Sequence, residues 1–141
     1  MPSISYHRDA LSDLAQLDRV DPDAASVLDA VFEQIHADPA LLLRLDDEHY
    51  GDAGLDLFNV DKVESYQQSG YDVWRLKCWD LKGLPGNYRV IYAVDQTKEH
   101  FYILGIIHRD FCYDVDHPRA RQCKAAYDEL AVPRIGPNRR R

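Results

Sequence analysis

Six side chains between residues 75 and 113 have the types and spacing to handle a phosphodiester. They are Arg75 and Lys77 in "VWRLKCW", Arg89 in "NYRVIYAV", and His108, Arg109 and Tyr113 in "ILGIIHRDFCYD". Cleaving RNA without a metal needs three things: a 2′-hydroxyl deprotonated, a phosphorane stabilised and a leaving 5′-oxygen protonated. Histidine moves protons near neutral pH, and arginine grips developing phosphate charge with two parallel bonds. A phenol beside cations ionises more readily than a free one. Arg75 and Lys77 are two residues apart, so they share one face of an extended strand. If its neighbours run antiparallel, Arg89 lies across from them and the 108–113 segment comes nearby.

The elements that must position these residues are legible in outline. Residues from Asp9 to Arg19 place Ala10, Leu11, Leu14, Ala15 and Leu17 at helical spacing. Asp21 and Pro22 then supply an N-cap and a first-turn proline for a second helix. Its apolar face is Ala24, Val27, Leu28, Val31, Phe32 and Ile35, and Asp38-Pro39 ends it. The acidic, glycine-bearing stretch 46–56 has no periodicity and predicts an exposed loop. "VWRLKCW" (73–79) alternates as a strand does, and "LPGN" (84–87) is a turn signal. "YRVIYAV" (88–94) and the very apolar "FYILGIIH" (101–108) complete an antiparallel meander. Residues 117–130 predict a closing helix and 133–141 a flexible basic tail. The expected architecture is α+β: two N-terminal antiparallel helices on a mainly antiparallel sheet of three to four strands, with a C-terminal helix. The helices would cover one sheet face and leave the other available.

The chain of 141 residues predicts a single domain, 1–141, large enough to bury its own core. It shows no internal repeats, no apolar signal core and no membrane span, so a cytoplasmic protein is expected. Cys78, Cys112 and Cys123 are odd in number and in no C-x-x-C spacing, and read as reduced structural thiols. His100, His108 and His117 lack a chelating partner at a usual interval, so no metal and no cofactor is expected. The net charge is −7, unevenly spread. Residues 1–70 hold four Lys or Arg against fifteen Asp or Glu, whereas residues 71–141 hold thirteen against nine. Such polarity can give one surface to a polyanion, or can simply mark solvated acidic helices.

"DVWRLKCWD", "GNYRVIYAVD" and "ILGIIHRDFCYD", in this order after two helices, resemble the RelE/ParE superfamily of bacterial type II toxins. The resemblance spans about residues 5–130. It implies a toxin neutralised by a cognate antitoxin, of the RelE and HigB kind: a metal-independent endoribonuclease that cuts mRNA on the ribosome. Under it, Arg75 and Lys77 hold the RNA backbone, with Lys82 beside them. Arg89 and Arg109 stabilise the phosphate, and His108 or Tyr113 transfers protons. The superfamily's other branch implies a non-catalytic inhibitor of DNA gyrase. A third outcome is a degenerate member that only binds its antitoxin and represses an operon. The chain departs from the superfamily in its length and in its acidic net charge. Taken singly, Arg89 and Arg109 are ordinary strand-end charges and His108 an ordinary structural histidine. The set together, in this order, carries the functional reading.

Overall fold

In the computed structural model, residues 2–136 are described. Strand β1 (Ser3–Tyr6) leads into helices α1 (Arg8–Val20), α2 (Pro22–Ala37) and the short α3 (Pro39–Leu42). Strand β2 (Phe58–Lys62) and helix α4 (Glu64–Gln68) follow. Then come β3 (Val73–Trp79), β4 (Pro85–Asp95), β5 (His100–His108) and α5 (Pro118–Glu129). The α1–α2 turn forms as the sequence predicts: Asp21 Oδ1 accepts from the Ala24 N–H at 3.2 Å, with Pro22 in the first turn. His117 does the same for α5, its Nδ1 accepting from the Arg119 N–H at 3.1 Å.

The class is α+β, but the sheet has five strands, in the order β1-β5-β4-β3-β2. Two of them are absent from the sequence-based expectation. β1 is four residues long and pairs parallel with β5, so no hairpin signal announces it. His100 fastens it, its ring lying between the Ser3 and Ser5 hydroxyls. β2 carries Asn59, Asp61 and Lys62 among its five residues, which hides its strand character. The first turn of the meander also moves. Asp80 Oδ1 accepts from the Lys82 and Leu84 N–H groups at 2.8 and 2.9 Å, so the chain reverses at 80–84 and Pro85 already pairs with Trp79.

Both faces of the sheet are covered. On the first, α1 and α2 bury Leu17, Leu28, Val31, Phe32 and Ile35 against Trp74, Leu76, Val90 and Tyr92. On the second, Ala120, Cys123, Ala126 and Tyr127 of α5 and Tyr66 of α4 pack over Val73, Ile91, Ala93, Leu104 and Ile107. The expectation of one wholly available face is therefore corrected. An α5 with apolar residues at 120, 123, 126 and 127 must bury them, and the second face is the surface within reach.

The expected exposed loop at 46–56 divides in two. Residues 52–56 are exposed, whereas 47–51 run along the outer edge of β2. His49 N–H donates to Val60 O and Val60 N–H to Tyr50 O, both at 2.9 Å. That pairing protects an otherwise open strand edge. Of the expected basic tail, only 133–136 falls within the described residues. Arg134 bonds Asp128 at 2.8 and 2.9 Å and lies 3.8 Å over the Tyr71 ring, and Ile135 N–H donates to Gly70 O at 2.8 Å.

One ion pair bridges the two layers around the free edge of β5. Asp13 of α1 meets Arg119 of α5. The same carboxylate accepts from the Ile106 N–H at 2.9 Å, and Arg119 donates to Ile106 O at 3.3 Å. Gly105 leaves room for it, since a Cβ there would stand 3.1 Å from Asp13 Oδ2. Asp13→Ala strands a strand-edge N–H and is expected to cost about 2 kcal/mol, Arg119 being able to turn to water. The urea midpoint should fall with an unchanged m-value; an unchanged midpoint would show that the pair contributes nothing to stability.

Candidate functional site

Strand register decides which cations meet. Asn59, Lys77, Arg89 and Ile107 stand in one row across β2, β3, β4 and β5 on the second face. The adjacent row places Asp61 opposite Arg75, with Ile91 beyond. Arg75, Lys77 and Arg89 are thus immediate neighbours, as their spacing predicts.

Their surroundings differ sharply. The Arg75 side chain is 10% exposed, and its Nη1 donates to Asn59 Oδ1 at 2.7 Å and Asn59 O at 3.3 Å. Its Nη2 lies 3.6 Å from Asp61 Oδ2. Asn59 in turn donates to Asp52 Oδ1 at 2.7 Å and to Tyr50 O at 2.8 Å. Negative charge therefore reaches Arg75 twice, directly from Asp61 of β2 and from Asp52 through Asn59. Sequence reading missed Asp52, Asn59 and Asp61 because it did not see β2.

Arg89 has no such counter-charge. It is 7% exposed, and its Nη1 donates to Gly86 O at 2.7 Å and Tyr88 O at 3.3 Å, while its buried Nε has no partner. Among the described residues no carboxylate oxygen lies within 4.0 Å of its guanidinium nitrogens. A buried cation with carbonyls but no anion is costly to hold. Lys77, half-buried, registers the crowding: burial first, then the Arg75 and Arg89 charges, lower its pKa, against smaller opposing contributions from Asp52 and Asp61. The row is short of negative charge, and an anion would relieve it.

Arg109 leaves β5 beside this row. Its N–H donates to Asn87 O at 2.7 Å, and its exposed guanidinium has no partner among the described residues. Beyond it the chain passes over the second face, burying Cys112 completely. Burial raises the Cys112 thiol above its ordinary range, while Arg89, a side-chain hydrogen bond with Tyr113, and Arg75 pull it back. Tyr113, next in the chain, is half-exposed. Its carbonyl is fixed by the Ser65 hydroxyl at 3.1 Å.

Two expected members stand apart. His108 pairs with Tyr88 and packs edge-on against its ring, 5.4 Å between centroids, on the first face. Its Nδ1 accepts from the Asp110 N–H at 3.2 Å and lies 3.4 Å from that carboxylate. Lys82 sits exposed in the 80–84 turn. Neither joins the row. Among the described residues, Glu48, His49 and Asp61 offer ligand atoms within 4.8 Å of one another, away from His100, His108 and His117. Salt bridges already engage this trio, Lys62 with Glu48 at 3.9 Å and Arg75 with Asp61 at 3.6 Å.

Strand register thus sets Lys77 and Arg89 side by side, with Arg109 leaving the neighbouring strand next to them. No protein-family model, curated protein or solved structure matches this chain.

Proposed function

We propose that this chain is a toxin of the RelE/ParE type, a cytoplasmic endoribonuclease acting on mRNA at the ribosome and held in check by an antitoxin. The observation that carries the reading is the anion-poor row of Lys77 and buried Arg89, with the free Arg109 guanidinium leaving the adjacent strand. A scissile phosphate meets the row's unpaired positive charge, and its own negative charge grows as the phosphorane forms. Proton transfer is assigned to Tyr113, since His108 belongs to the opposite face. Arg75 is a positioning residue: bound to Asn59 and facing Asp61, it holds the row's geometry and raises its potential. Lys82 stands clear of the scissile phosphate, where it could touch a more distant part of the RNA.

The chemistry needs no cofactor and no metal, because the 2′-hydroxyl is the nucleophile and the arginines carry the charge. The placement of His108 favours one other reading. A chain that separates its imidazole from its phosphate ligands also suits a non-catalytic inhibitor of DNA gyrase.

Primer extension on a reporter mRNA in a bacterial translation extract tests the proposal. Discrete cuts within the reading frame are expected on adding the protein. An intact message, together with trapped gyrase–DNA cleavage complexes, would overturn the ribonuclease reading in favour of the inhibitor.

A further inference from the structure

On the first face, a cleft of about 210 Å³ lies between the first turns of α2 and the β3–β4 hairpin. Its floor is apolar, built from Ala24, Val27 and Leu28 of α2 and the Tyr88 ring, with Trp79 at the side. Leu81 and Leu84, at the tip of the hairpin, are 74% and 59% exposed. Apolar side chains this exposed beside an apolar cleft form a surface suited to burial by a partner.

The rim is acidic. Asp21, Asp23 and Asp80 line the cleft, and among the described residues none of them is in an ion pair. Elsewhere the carboxylates of Asp13, Asp47, Asp61, Asp128 and Glu129 each meet an arginine. Asp21 spends only Oδ1 on its helix cap and Asp80 only Oδ1 on its turn. The N-terminal dipole of α2 offsets about half an elementary charge, which leaves the three-carboxylate rim anionic. Lys82, two residues from Asp80, and Arg19, two residues from Asp21, do not line the cleft.

We infer that this cleft docks a basic amphipathic segment of a partner protein, whose apolar side chains enter it while Lys or Arg residues meet Asp21, Asp23 and Asp80. Size and sign exclude the alternatives. At about 210 Å³ the cleft is smaller than a typical small-molecule pocket and suits one or two side chains. An acidic rim repels nucleic acid. The cleft shares its hairpin with the cationic row, because the carbonyls of Gly86 and Asn87 hold Arg89 and the Arg109 backbone. The partner therefore bears on the site from behind without covering it. The charge preference of the cleft stands by itself; identifying the partner as an antitoxin rests on the toxin reading.

A displayed library of helical peptides decides it, with a fixed leucine stripe and randomised polar positions, selected on the native protein. Selected peptides should be rich in Lys and Arg and should shift the backbone amides of residues 21–28 and 78–88. They should bind at least 10-fold more weakly to Asp21→Asn/Asp23→Asn/Asp80→Asn, which keeps the cap and turn acceptors. Leu81→Ser/Leu84→Ser, changed only at exposed positions and adding no charge, should also weaken them. Acidic or neutral peptides, binding that both variants leave intact, amide shifts confined to the opposite face, or a failed selection would each overturn the inference. None of these results depends on whether the protein cuts RNA, which primer extension reads separately.

Discussion

Arg109→Ala is expected to slow mRNA cutting at least about 100-fold, the scale lost when a developing oxyanion loses one charged donor. Its melting temperature should stay within about 2 °C of native. Both halves follow from the same geometry. The guanidinium is exposed and without a partner among the described residues, so removing it breaks no bond that holds the fold. The backbone N–H that anchors the position to Asn87 O survives the substitution. Arg89→Ala should be equally inactive but less stable, because that side chain is 7% exposed and tied to Gly86 and Tyr88 carbonyls. Arg109→Lys should recover only part of the rate, since a point charge replaces a two-pronged grip. His108→Ala, on the far face, should change cutting by no more than a few-fold. Full activity of Arg109→Ala in the translation extract would remove the residue from the mechanism. Loss of cutting in His108→Ala with retention in Tyr113→Phe would return proton transfer to the imidazole.

That assignment turns on a single irregularity in β5. Tyr102 belongs to the second face, so strict alternation would put His108 there too, beside Arg89. The pairing slips instead between Ile91 and Tyr92, which face Gly105 and Ile103, so Leu104 is an extra residue. Every later position reverses: Ile107 joins the second face and His108 the first. A glycine inside so apolar a strand was the available signal of a bulge. The spacing of Arg75 and Lys77 needed no such information, nor did the Asp21-Pro22 helix start, because both rules are local. The two missed strands escaped for different reasons: the partner of β1 is distant in sequence, and β2 carries Asn59, Asp61 and Lys62, which hide its strand character. β1 meets β5 across about ninety-seven residues of chain, and β2 owes its strand form to β3 on one side and to residues 49–50 on the other. The neutralising role of Asp52 and Asp61 was hidden along with β2.

Glycine also misled in the segment 46–56, where it suggested freedom and in fact marks contact. Gly51 and Gly54 both have left-handed backbones, φ +78° and +77°, so alanine at either is strained by about 1–2 kcal/mol. Only Gly51 lacks space. A Cβ there would lie 2.0 Å from Phe58 O, main chain that cannot move aside without breaking β2. At Gly54 the nearest atom is the Trp79 ring at 4.0 Å. Gly51→Ala is therefore expected to cost about 4 kcal/mol or more, in the range reserved for severe backbone conflicts. Gly54→Ala should cost only the conformational strain. Thermal unfolding of the two variants separates these cases, and hydrogen exchange should show the Val60 amide, bonded to Tyr50 O, losing protection only in Gly51→Ala. Detaching the segment would also carry Asp52 away from Asn59, loosening the brace on Arg75. Equal stability of the two variants would show that residues 49–51 are not packed on the β2 edge. The brace from Asp52 through Asn59 to Arg75 would then lose its footing, whereas the row of Lys77 and Arg89, set by β3 and β4 alone, would stand.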